Sequence, residues 1–350
     1  MIVLIEPRTL SGSPAVAPTS KSYAQRVLIA SLLCDEPVTI EMPTTCDDIE
    51  VTRRAIESIR AGERAVTVGD SATAARILQP ILAACYPDVE LVLSDQLARR
   101  PMEHYLTPVT ARAGEFRVPS TVSSQYVSGL LYALPLLEGE STIIVEGELE
   151  SRGYVEMTRA VLREFGVVST EVAPGVYRVP GGQRYRSPGT VTCEADWSNA
   201  LLWPDDMAQS ELPDTVDVRH TPDLTPSLAV QAAIGERAVT FTGIERLRFK
   251  ESDRVAGIMQ MLTTFGVETH LSVGADGEEQ LIVVGRGGVL NDGTVEGCGD
   301  HRIVMAAAVA SCYAQDTVTI TDAEAVTKSY PTFFDEFIRL GGCVEFEQST

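Results

Sequence analysis

The sequence predicts an α/β fold divided into two lobes, and three observations lead to it. Segments whose apolar residues recur every three or four positions, the spacing of a helix face, alternate with short runs rich in Val, Ile and Thr, which favour strands. The chain has 350 residues, 44% of them hydrophobic, so it can bury more than one core of ordinary domain size. A short sequence pattern also recurs along the chain, which indicates a repeated structural unit.

The elements follow in order from these local patterns. An apolar run at residues 1–5 predicts a first strand, and Pro331 marks the start of a last helix. The predicted helices between them cover residues 21–34, 47–60, 71–85, 123–137, 154–165, 223–234, 251–265 and 299–313. The predicted strands that alternate with these helices are residues 38–40, 66–68, 91–93, 142–145, 239–241 and 281–284.

The recurring pattern is a helix end that is closed by glycine just before a strand. Residues 161–167 resemble residues 261–267, and residues 337–342 form a looser third copy. Helices often stop at glycine, which would explain any single copy, but several copies together favour a true repeat. The expected crossings between the lobes are residues 14–18 and 193–196.

Composition excludes several classes of partner. The net charge of −21, from 28 basic and 49 acidic residues, argues against a nucleic acid or an anionic membrane surface, because a polyanion would be repelled. An anionic ligand must therefore be small.

The seven cysteines show no CxxC pair and no His spacing suited to zinc, so we expect reduced thiols and no metal. Since no basic leader or membrane-length apolar run is present, we expect a cytoplasmic protein.

The most informative segment opens the first long helix. Lys21, Ser22 and Arg26 place a cation, a hydroxyl and a second cation where backbone N–H groups are unpaired and the helix dipole is positive. Phosphate or carboxylate suits such a site.

Three further helix starts in the first half carry similar residues. The turn at residues 69–76 is small enough for a ligand to approach the backbone, although small residues at such a turn more often serve packing. Residues 123–125, Ser-Ser-Gln, supply more polar groups than one N-cap needs. Ser151 and Tyr154 add a hydroxyl and a phenol, for which an ordinary cap and a core Tyr are an equally good interpretation.

The second half carries denser charge. Lys250 and Arg254, four residues apart, are expected to share a helix face, with Glu251 beside them as a carboxylate of perturbed acidity. A surface salt-bridge cluster is the alternative interpretation. The charged residues 299–302 open a helix whose sequence looks buried, so they must emerge at a boundary or a cleft.

Two more charged residues precede helices. Asp223 would be an ordinary N-cap if taken alone, and Lys328, before the Pro331 helix, would be an ordinary surface lysine. Neither is informative without the segments around it.

Taken in order, these segments resemble the motifs of the 5-enolpyruvylshikimate-3-phosphate (EPSP) synthases, the 3-phosphoshikimate 1-carboxyvinyltransferases of the shikimate pathway. The order makes the resemblance specific, and it covers nearly the whole chain. The matching segments are residues 20–22 with Arg26, 46–48, 69–76, 100–101, 123–125, Ser151 with Tyr154, 222–223, 250–254, 300–302, and Lys328 with Pro331.

The resemblance implies an inside-out α/β barrel of two lobes, built from repeated βαβαββ units whose helix N-termini face a cleft. The first lobe would be residues 17–195, mainly on the shikimate 3-phosphate side. The second would join residues 1–16 to residues 196–350.

The resemblance also implies a reaction. The enolpyruvyl group of phosphoenolpyruvate passes to the 5-hydroxyl of shikimate 3-phosphate, phosphate leaves, and no cofactor is needed. Both substrates are anions, so Lys and Arg side chains would bind them in a protein that we expect to be a monomer. Matched positions assign shikimate 3-phosphate to Lys21, Ser22, Arg26, Ser123, Ser124, Gln125, Ser151, Tyr154, Asp223 and Lys250, and phosphoenolpyruvate to Lys21, Ala72, Arg100, Gln125, Arg254, Arg302 and Lys328.

Addition and elimination through a tetrahedral ketal require groups that move protons onto and off the same atoms. By the match, Asp223 would take the proton of the attacking hydroxyl and Glu251 would exchange protons at the methylene carbon. Lys21 and Lys328 would support the departing phosphate. His301 completes the set of matched catalytic residues.

The sequence departs from the family pattern in three ways. It is shorter, with shortfalls between residues 59 and 69, 101 and 123, and 203 and 223, and the last would remove much of one repeat unit from the second lobe. Asp70 stands beside an anion site where members usually have an uncharged residue. Ala72 stands where many members have Gly, so its methyl group should crowd glyphosate and we expect low sensitivity to that inhibitor.

Two alternatives are considered, one of them also an enzyme and the other a binding protein. An enolpyruvyltransferase for a UDP-sugar would share the fold type but needs a larger acceptor pocket. A catalytically silent descendant would bind an anionic metabolite, although loss of catalysis usually lets charged motifs decay. Here Asp223, Glu251, His301 and Lys328 all remain.

Overall fold

A computed structural model describes residues 1–12, 17–99, 112–120, 123–199, 202–203 and 211–347. The chain forms two compact units. We call residues 19–195 the first lobe, and residues 1–18 together with 196–350 the second lobe. Each lobe has its own hydrophobic core.

The first lobe contains six described helices and eight described strands. The helices are α1 (Lys21–Leu32), α2 (Asp47–Arg60), α3 (Ala72–Cys85), α4 (Asp95–Ala98), α5 (Ser124–Ala133) and α6 (Arg152–Glu164). The strands are β2 (Thr39–Glu41), β3 (Ala65–Thr67), β4 (Glu90–Val92), β5 (Glu115–Pro119), β6 (Ser141–Glu146), β7 (Thr170–Ala173), β8 (Val176–Val179) and β9 (Thr190–Thr192).

The described part of the second lobe contains four helices and eight strands. The helices are α7 (Thr225–Ile234), α8 (Arg254–Thr264), α9 (His301–Ser311) and α10 (Phe333–Arg339). The strands are β1 (Ile2–Glu6), β10 (Thr215–Asp217), β11 (Ala238–Thr242), β12 (Thr269–Val273), β13 (Glu279–Val284), β14 (Gly293–Val295), β15 (Val318–Ile320) and β16 (Cys343–Glu347). The eight predicted helices and six predicted strands are thus confirmed, with small shifts at their ends.

Two four-stranded sheets, one in each lobe, have the same topology. Their strand orders are β5-β6-β8-β7 and β10-β11-β13-β12. In each, the first two strands are parallel and the last two are antiparallel to their neighbours. A parallel pair needs a crossover connection, which α5 and α7 supply, while a short turn suffices for the antiparallel hairpin. Both sheets therefore come from one βαβαββ unit.

A third copy is completed by the N-terminal strand. The order β14-β15-β1-β16 repeats the topology, with β1 in the position that β8 and β13 occupy in the other copies. The register pairs Val3 with Ile320 on one side and with Phe346 on the other. Residues 1–12 consequently belong to the second lobe although the first lobe follows them in sequence.

The glycines of the sequence echo close the second helix of each copy. Gly166, Gly266 and Gly341 have φ of 77°, 71° and 108°, a left-handed conformation that favours glycine. Each donates its N–H to the carbonyl three residues earlier, and the next residue donates to the carbonyl five residues earlier. The predicted repeated unit is confirmed, and its shared sequence is the signal for this turn.

A shortened copy explains the first shortfall. Helix α2 ends with the same turn at Gly62, whose φ is 78°, but the chain then enters β3 at Ala65 without a hairpin. Among the described residues, β2 therefore pairs only with β9. The other two shortfalls fall partly on residues 101–111, 121–122 and 204–210, which lie outside the described ranges.

Buried helices present their charged first residues at one end. Every residue of α9 is buried, including the arginine and histidine of its first turn, and small side chains make up most of its length.

In the described parts of the chain, no helix is both long and apolar enough to cross a membrane.

Candidate active site

A buried arginine in the first half of α1 has no acidic partner among the described residues. The Arg26 side chain is only 1% exposed, donates from Nε to Thr158 Oγ1 (2.8 Å) and from Nη1 to the Ser22 carbonyl (2.7 Å), and lies 5.7 Å from the Tyr154 ring centre. Burial lowers the pKa of Arg26. Within the described ranges, no carboxylate forms an ion pair with it. A buried cation of this kind is a receptor for an anion.

The neighbouring lysine is arranged differently. Lys21 Nζ lies 3.0 Å from Asp48 Oδ2 on α2, and Ser20 rather than Ser22 caps the helix. The structure thus places Arg26 beside the Ser22 carbonyl and the Tyr154 ring, and Lys21 directly precedes Ser22. Ser151, which precedes α6, adopts a φ of 53° and forms no side-chain cap.

A second polar group in the first lobe centres on Gln125. Its Nε2 donates to Thr73 Oγ1 (2.6 Å), and its Oε1 accepts from Arg76 Nη1 (2.9 Å). The amide orientation is therefore fixed by α3. Ser123 caps α5 by accepting from the Gln125 N–H, which leaves the buried Ser124 hydroxyl outside the capping role.

The two unusual residues before and within α3 have distinct surroundings. Asp70 accepts a hydrogen bond from the Ser94 hydroxyl, which joins the turn after β3 to the turn after β4. Ala72 is the first residue of α3 and is buried. Asp70 therefore has a structural partner in its own lobe.

In the second lobe, Arg254 is the centre of an ion-pair network. This side chain is 1% exposed and contacts three carboxylates: Nη1 lies 2.7 Å from Asp223 Oδ1, Nη2 lies 2.6 Å from Glu251 Oε2, and Nε lies 2.8 Å from Asp300 Oδ2. Lys250 Nζ is 3.5 Å from the same Asp223 oxygen. One arginine thus holds both carboxylates that the sequence predicts to be catalytic.

The ion pairs set the charge state of this network. Burial alone would raise the pKa of Asp223, but the charges of Lys250, Arg254 and Arg302 outweigh it and hold that pKa well below 3.8. Burial lowers the pKa of Lys250 from 10.5, and the attraction of Asp223 opposes this only in part. Although burial opposes it, Asp300, Glu251 and Asp223 raise the pKa of Arg254.

One local prediction in this segment is wrong. Lys250 and Glu251 do not lie on a helix face with Arg254, because α8 begins only at Arg254 and Asp253 caps it. Lys250 has extended backbone angles after a short 3-10 helix at residues 245–249. Similarly, Asp223 lies in the turn before α7, whose cap position is Leu224, so it is not an N-cap. Both carboxylates project from irregular backbone beside a helix start.

Asp300 joins the two charged segments of this lobe. It is fully buried, caps α9 by accepting from the Arg302 N–H (2.9 Å), and accepts from Ser252 Oγ (3.1 Å) as well as from Arg254. His301 Nδ1 is 3.8 Å from Asp300 Oδ1. The sequence singled out residues 299–302 but did not assign Asp300 a site role. The sequence signal that could have identified Asp300 is a carboxylate directly before a fully buried helix.

Arg302 is held by a segment that the sequence analysis did not include in the site. Its Nη1 donates to the Ser198 carbonyl (3.0 Å) and to Asn199 Oδ1 (2.8 Å), and its Nη2 donates to Ser198 Oγ (2.6 Å). Asp196 Oδ2 lies 3.8 Å from Nη2. These residues begin the second lobe directly after the chain leaves the first.

Two further predicted residues belong to other segments of the chain. Lys328 ends a 3-10 helix at residues 323–328 and is half-buried, and Arg100 lies outside the described residues. In the described part of the chain, no group of His, Cys, Asp or Glu side chains is disposed to hold a metal ion.

The rarity of lysine is a further sequence signal, separate from the motifs. The chain has only three lysines among its 28 basic residues, and these are Lys21, Lys250 and Lys328. All three are predicted site residues. Arginine is permanently charged, whereas the pKa of a lysine can be tuned, so a chain that otherwise uses arginine retains lysine where chemistry favours it.

A cavity of about 420 Å³ in the first lobe lies elsewhere. Its apolar wall includes Val38, Ile40 and Met42, from β2 and its flanks, and it is also lined by Leu28 and Ser31 of α1 and Arg53, Ile56, Glu57 and Arg60 of α2. No predicted site residue lines it. It lies against the strand that lacks a hairpin.

Comparisons with known proteins agree with the residue matches. A family model described as EPSP synthase (3-phosphoshikimate 1-carboxyvinyltransferase) matches residues 107–204 and 205–337. A protein of Clostridium kluyveri named 3-phosphoshikimate 1-carboxyvinyltransferase is 29% identical over 427 aligned residues, with 98% of each chain covered. A protein of the same name from Brachyspira hyodysenteriae is 28% identical over 426 residues, covering 98% of this chain and all of the relative.

Solved structures share the fold. EPSP synthase from Acinetobacter baumannii superimposes with a TM-score of 0.75 at 18% identity, covering 99% of this chain and 100% of that one. The enolpyruvyl transferase NikO from Streptomyces tendae superimposes with a TM-score of 0.65 at 13% identity, covering 100% and 99%. The predicted fold class is confirmed.

The first alignment also gives the extent of the shortening. Its 427 positions exceed the 350 residues of this chain by 77, so at least 77 positions are occupied only in the relative. The prediction of a shortened member is confirmed.

Proposed function

The chain belongs to the EPSP synthase family and is a 3-phosphoshikimate 1-carboxyvinyltransferase, and we propose that the residue groups described above divide the work of this reaction between them. The enzyme transfers the enolpyruvyl group of phosphoenolpyruvate to the 5-hydroxyl of shikimate 3-phosphate and releases phosphate. The observation that carries the proposal is that buried Arg254 holds Asp223 and Glu251 at 2.7 and 2.6 Å.

The reaction needs one group for the hydroxyl proton and one for the methylene carbon. Asp223, ionised beside Lys250 and Arg254, accepts the proton of the attacking hydroxyl. Before the substrates bind it is a weak base because three cations stabilise its charge. Two anionic substrates add negative charge, which raises the pKa of Asp223 and strengthens it as a base once both are bound.

Glu251 is the second proton-transferring group. In its protonated form it delivers its proton to the methylene carbon during addition, and the carboxylate that results recovers a proton from the methyl group during elimination, so the carboxyl group must stay oriented through both steps. The 2.6 Å contact with Arg254 Nη2 provides that orientation. The remaining cations, Lys21 and Lys328, stabilise the phosphate as it leaves.

Arg26 is the main anion receptor of the first lobe. Its buried charge, without a carboxylate partner in the described ranges, binds the phosphate or carboxylate of shikimate 3-phosphate together with Ser22 and Tyr154. Gln125, oriented by Thr73 and Arg76, presents the rest of its amide to both substrates. Arg302 binds phosphoenolpyruvate.

The test is phosphate release from the purified protein with both substrates, with Asp223→Asn as the matched variant and Asp214→Asn as a control. Asp214 is a carboxylate of the same lobe whose partner is Arg237, 2.8 Å away, outside the network. Release should require both substrates, fall at least about 100-fold in Asp223→Asn and stay unchanged in Asp214→Asn.

Other outcomes have definite meanings. Calorimetric binding of shikimate 3-phosphate without phosphate release would indicate a binding-only descendant. Release with a UDP-sugar acceptor in place of shikimate 3-phosphate would assign the chain to the other enolpyruvyl transfer reaction. Unchanged release in Asp223→Asn would remove Asp223 from the mechanism.

A further inference from the structure

The segment that enters the second lobe, residues 196–199, contacts the guanidinium of Arg302. Three hydrogen bonds connect them, to the Ser198 carbonyl, the Ser198 hydroxyl and Asn199 Oδ1, at 3.0, 2.6 and 2.8 Å. Ser198, Asn199 and Arg302 are each 5% exposed. A guanidinium can only donate, so the Asn199 amide must turn its oxygen toward Arg302 and its nitrogen away.

Two buried donors in this pair have no acceptor in the described part of the chain. Among the described residues, neither Arg302 Nε nor Asn199 Nδ2 has a hydrogen-bond partner, although both atoms are buried. Buried donors are usually satisfied, and leaving them unpaired is costly. The Nε–H of Arg302 can therefore donate to an acceptor that a ligand brings.

The edge of Arg302 that remains available suits an anion. Nη1 donates both its N–H groups to the crossing segment, and Nη2 donates one to Ser198 Oγ. The second N–H of Nη2 lies on the same edge of the guanidinium as Nε–H. These two N–H groups form the fork that binds carboxylate or phosphate oxygens in a bidentate manner.

We infer that Asn199 is a positioning residue of the phosphoenolpyruvate site: its neutral Oδ1 holds Nη1 of Arg302, so that the N–H groups of Nε and Nη2 face the bound anion. The inference rests on the proposed function, in which Arg302 binds phosphoenolpyruvate. It adds to that function a residue from the start of the second lobe, where the chain arrives from the first.

Two variants separate this role from a purely structural one. Asn199→Ala removes the acceptor, whereas Asn199→Asp keeps shape and acceptor but neutralises Arg302. Each should raise the KM for phosphoenolpyruvate about tenfold or more, with a smaller change in kcat and unchanged shikimate 3-phosphate affinity. A structural tether would be preserved by Asn199→Asp, which pairs with arginine at least as well.

The matched control lies at the other crossing. Thr44 holds Thr19 there, since the Thr19 N–H donates to Thr44 Oγ1 at 2.7 Å and Thr19 Oγ1 donates to the Thr44 carbonyl at 2.7 Å. Thr44→Val should leave the KM for phosphoenolpyruvate unchanged. An equal rise in Thr44→Val would show that any disturbance of a crossing suffices and would overturn the inference.

Direct titration keeps the inference separate from the proposed function. Calorimetry of phosphoenolpyruvate added to the protein in the absence of shikimate 3-phosphate gives the affinity without turnover. If the wild-type chain binds phosphoenolpyruvate but releases no phosphate, the proposed function fails while a tenfold weaker affinity of Asn199→Asp still supports the inference. Wild-type affinity in Asn199→Asp, or no binding to the wild-type chain, would overturn it.

Discussion

At the residue scale, Arg26 and Arg254 show two different surroundings of a buried arginine. Its guanidinium is buried with two neutral hydrogen-bond acceptors and a tyrosine ring, so the folded protein carries the desolvation of a charge that no described carboxylate offsets. An arrangement of this kind favours a bound anion over the empty state. Arg254, with three carboxylates, is the opposite case.

Replacing Arg26 should therefore affect binding far more than stability. We expect Arg26→Met to weaken shikimate 3-phosphate binding roughly 10–100-fold, because it removes charge-assisted hydrogen bonds, while the free energy of unfolding changes by no more than about 1 kcal/mol. Calorimetry and urea unfolding measure the two quantities. Arg60→Met is the control, since Arg60 donates to the Ser31 carbonyl away from the site. Unchanged affinity in Arg26→Met would exclude Arg26 as the receptor.

Lys250 is the titratable cation of the network whose environment is best defined. Burial lowers its pKa below 10.5 and the charge of Asp223 raises it in part, so Asp223→Asn should lower the pKa of Lys250 further. Because the folded state then releases the proton more easily than the unfolded state, raising the pH through the lowered pKa toward 10.5 favours the folded protein.

Because the chain has only three lysines, the pKa of Lys250 can be measured by nuclear magnetic resonance. Reductive methylation with a carbon-13 label gives one dimethyl resonance for each lysine, and Lys250→Arg identifies the signal of interest. Asp214→Asn should leave that pKa unchanged. An upward shift in Asp223→Asn would contradict the electrostatic account of the network.

At the element scale, a common turn ends the second helix of each repeat. The residue after the helix must adopt positive φ, so the sequence retains glycine there while the helix faces diverge. The short pattern of the echo was therefore enough to reveal the repeat, although it could not show that β1 completes the third copy. That pairing joins residues at opposite ends of the chain and has no local signal.

Alanine at these glycines should be destabilising to different degrees. Gly166→Ala should cost about 1–2 kcal/mol of unfolding free energy from its positive φ alone, since an added Cβ meets only ordinary contacts with Arg186. Gly266→Ala should cost more, because its Cβ would lie 2.2 Å from Arg286 and 2.4 Å from Asn291. Urea unfolding gives both values.

Gly153→Ala is the matched control for this series. Gly153 lies within α6 with no positive φ and nothing within 4 Å of an added Cβ, so alanine should stabilise the protein by up to about 0.5 kcal/mol. Equal losses at Gly153 and Gly166 would mean that the left-handed turn is not the cause.

The site could be predicted where a local pattern carries it. Helix starts rich in polar residues identified Ser22, Arg26, Asp223, Glu251 and Arg254, and the structure groups them as two clusters, one in each lobe. Ser198 and Asn199 could not be found this way. They contact Arg302 across about one hundred residues of sequence, and neither precedes a recognisable helix. The predicted helix starts near Asp223 and Lys250 were also too early. Tertiary contacts, rather than helix propensity, keep these two residues in irregular backbone before the helices begin.

At the scale of the whole molecule, the missing hairpin after α2 leaves β2 with one neighbour among the described strands. An open strand edge next to a partly apolar cavity can pair with a strand of another chain. Glu57, five residues before Gly62, lines this cavity and is exposed, whereas the same positions before Gly166 and Gly266 are the buried Val161 and Met261. The third complete copy has Glu336, paired with Arg339.

We expect the Glu57 charge to keep the protein monomeric. Glu57→Val should promote self-association, detected as a concentration-dependent rise in sedimentation coefficient. Glu63→Val, an equal change of charge at an exposed turn residue outside the cavity, should not. Association in both variants would point to net charge rather than to the strand edge.

The position of β1 bears on the order in which the protein acquires its structure during synthesis. Val3 pairs with Ile320 and Phe346, which are 317 and 343 positions away, and the whole first lobe lies between them in sequence. Closing a loop of this length is slow compared with local folding. The first lobe can therefore fold on the ribosome while β1 waits unpaired, and the last sheet of the second lobe can be completed only after residues 343–347 have been translated.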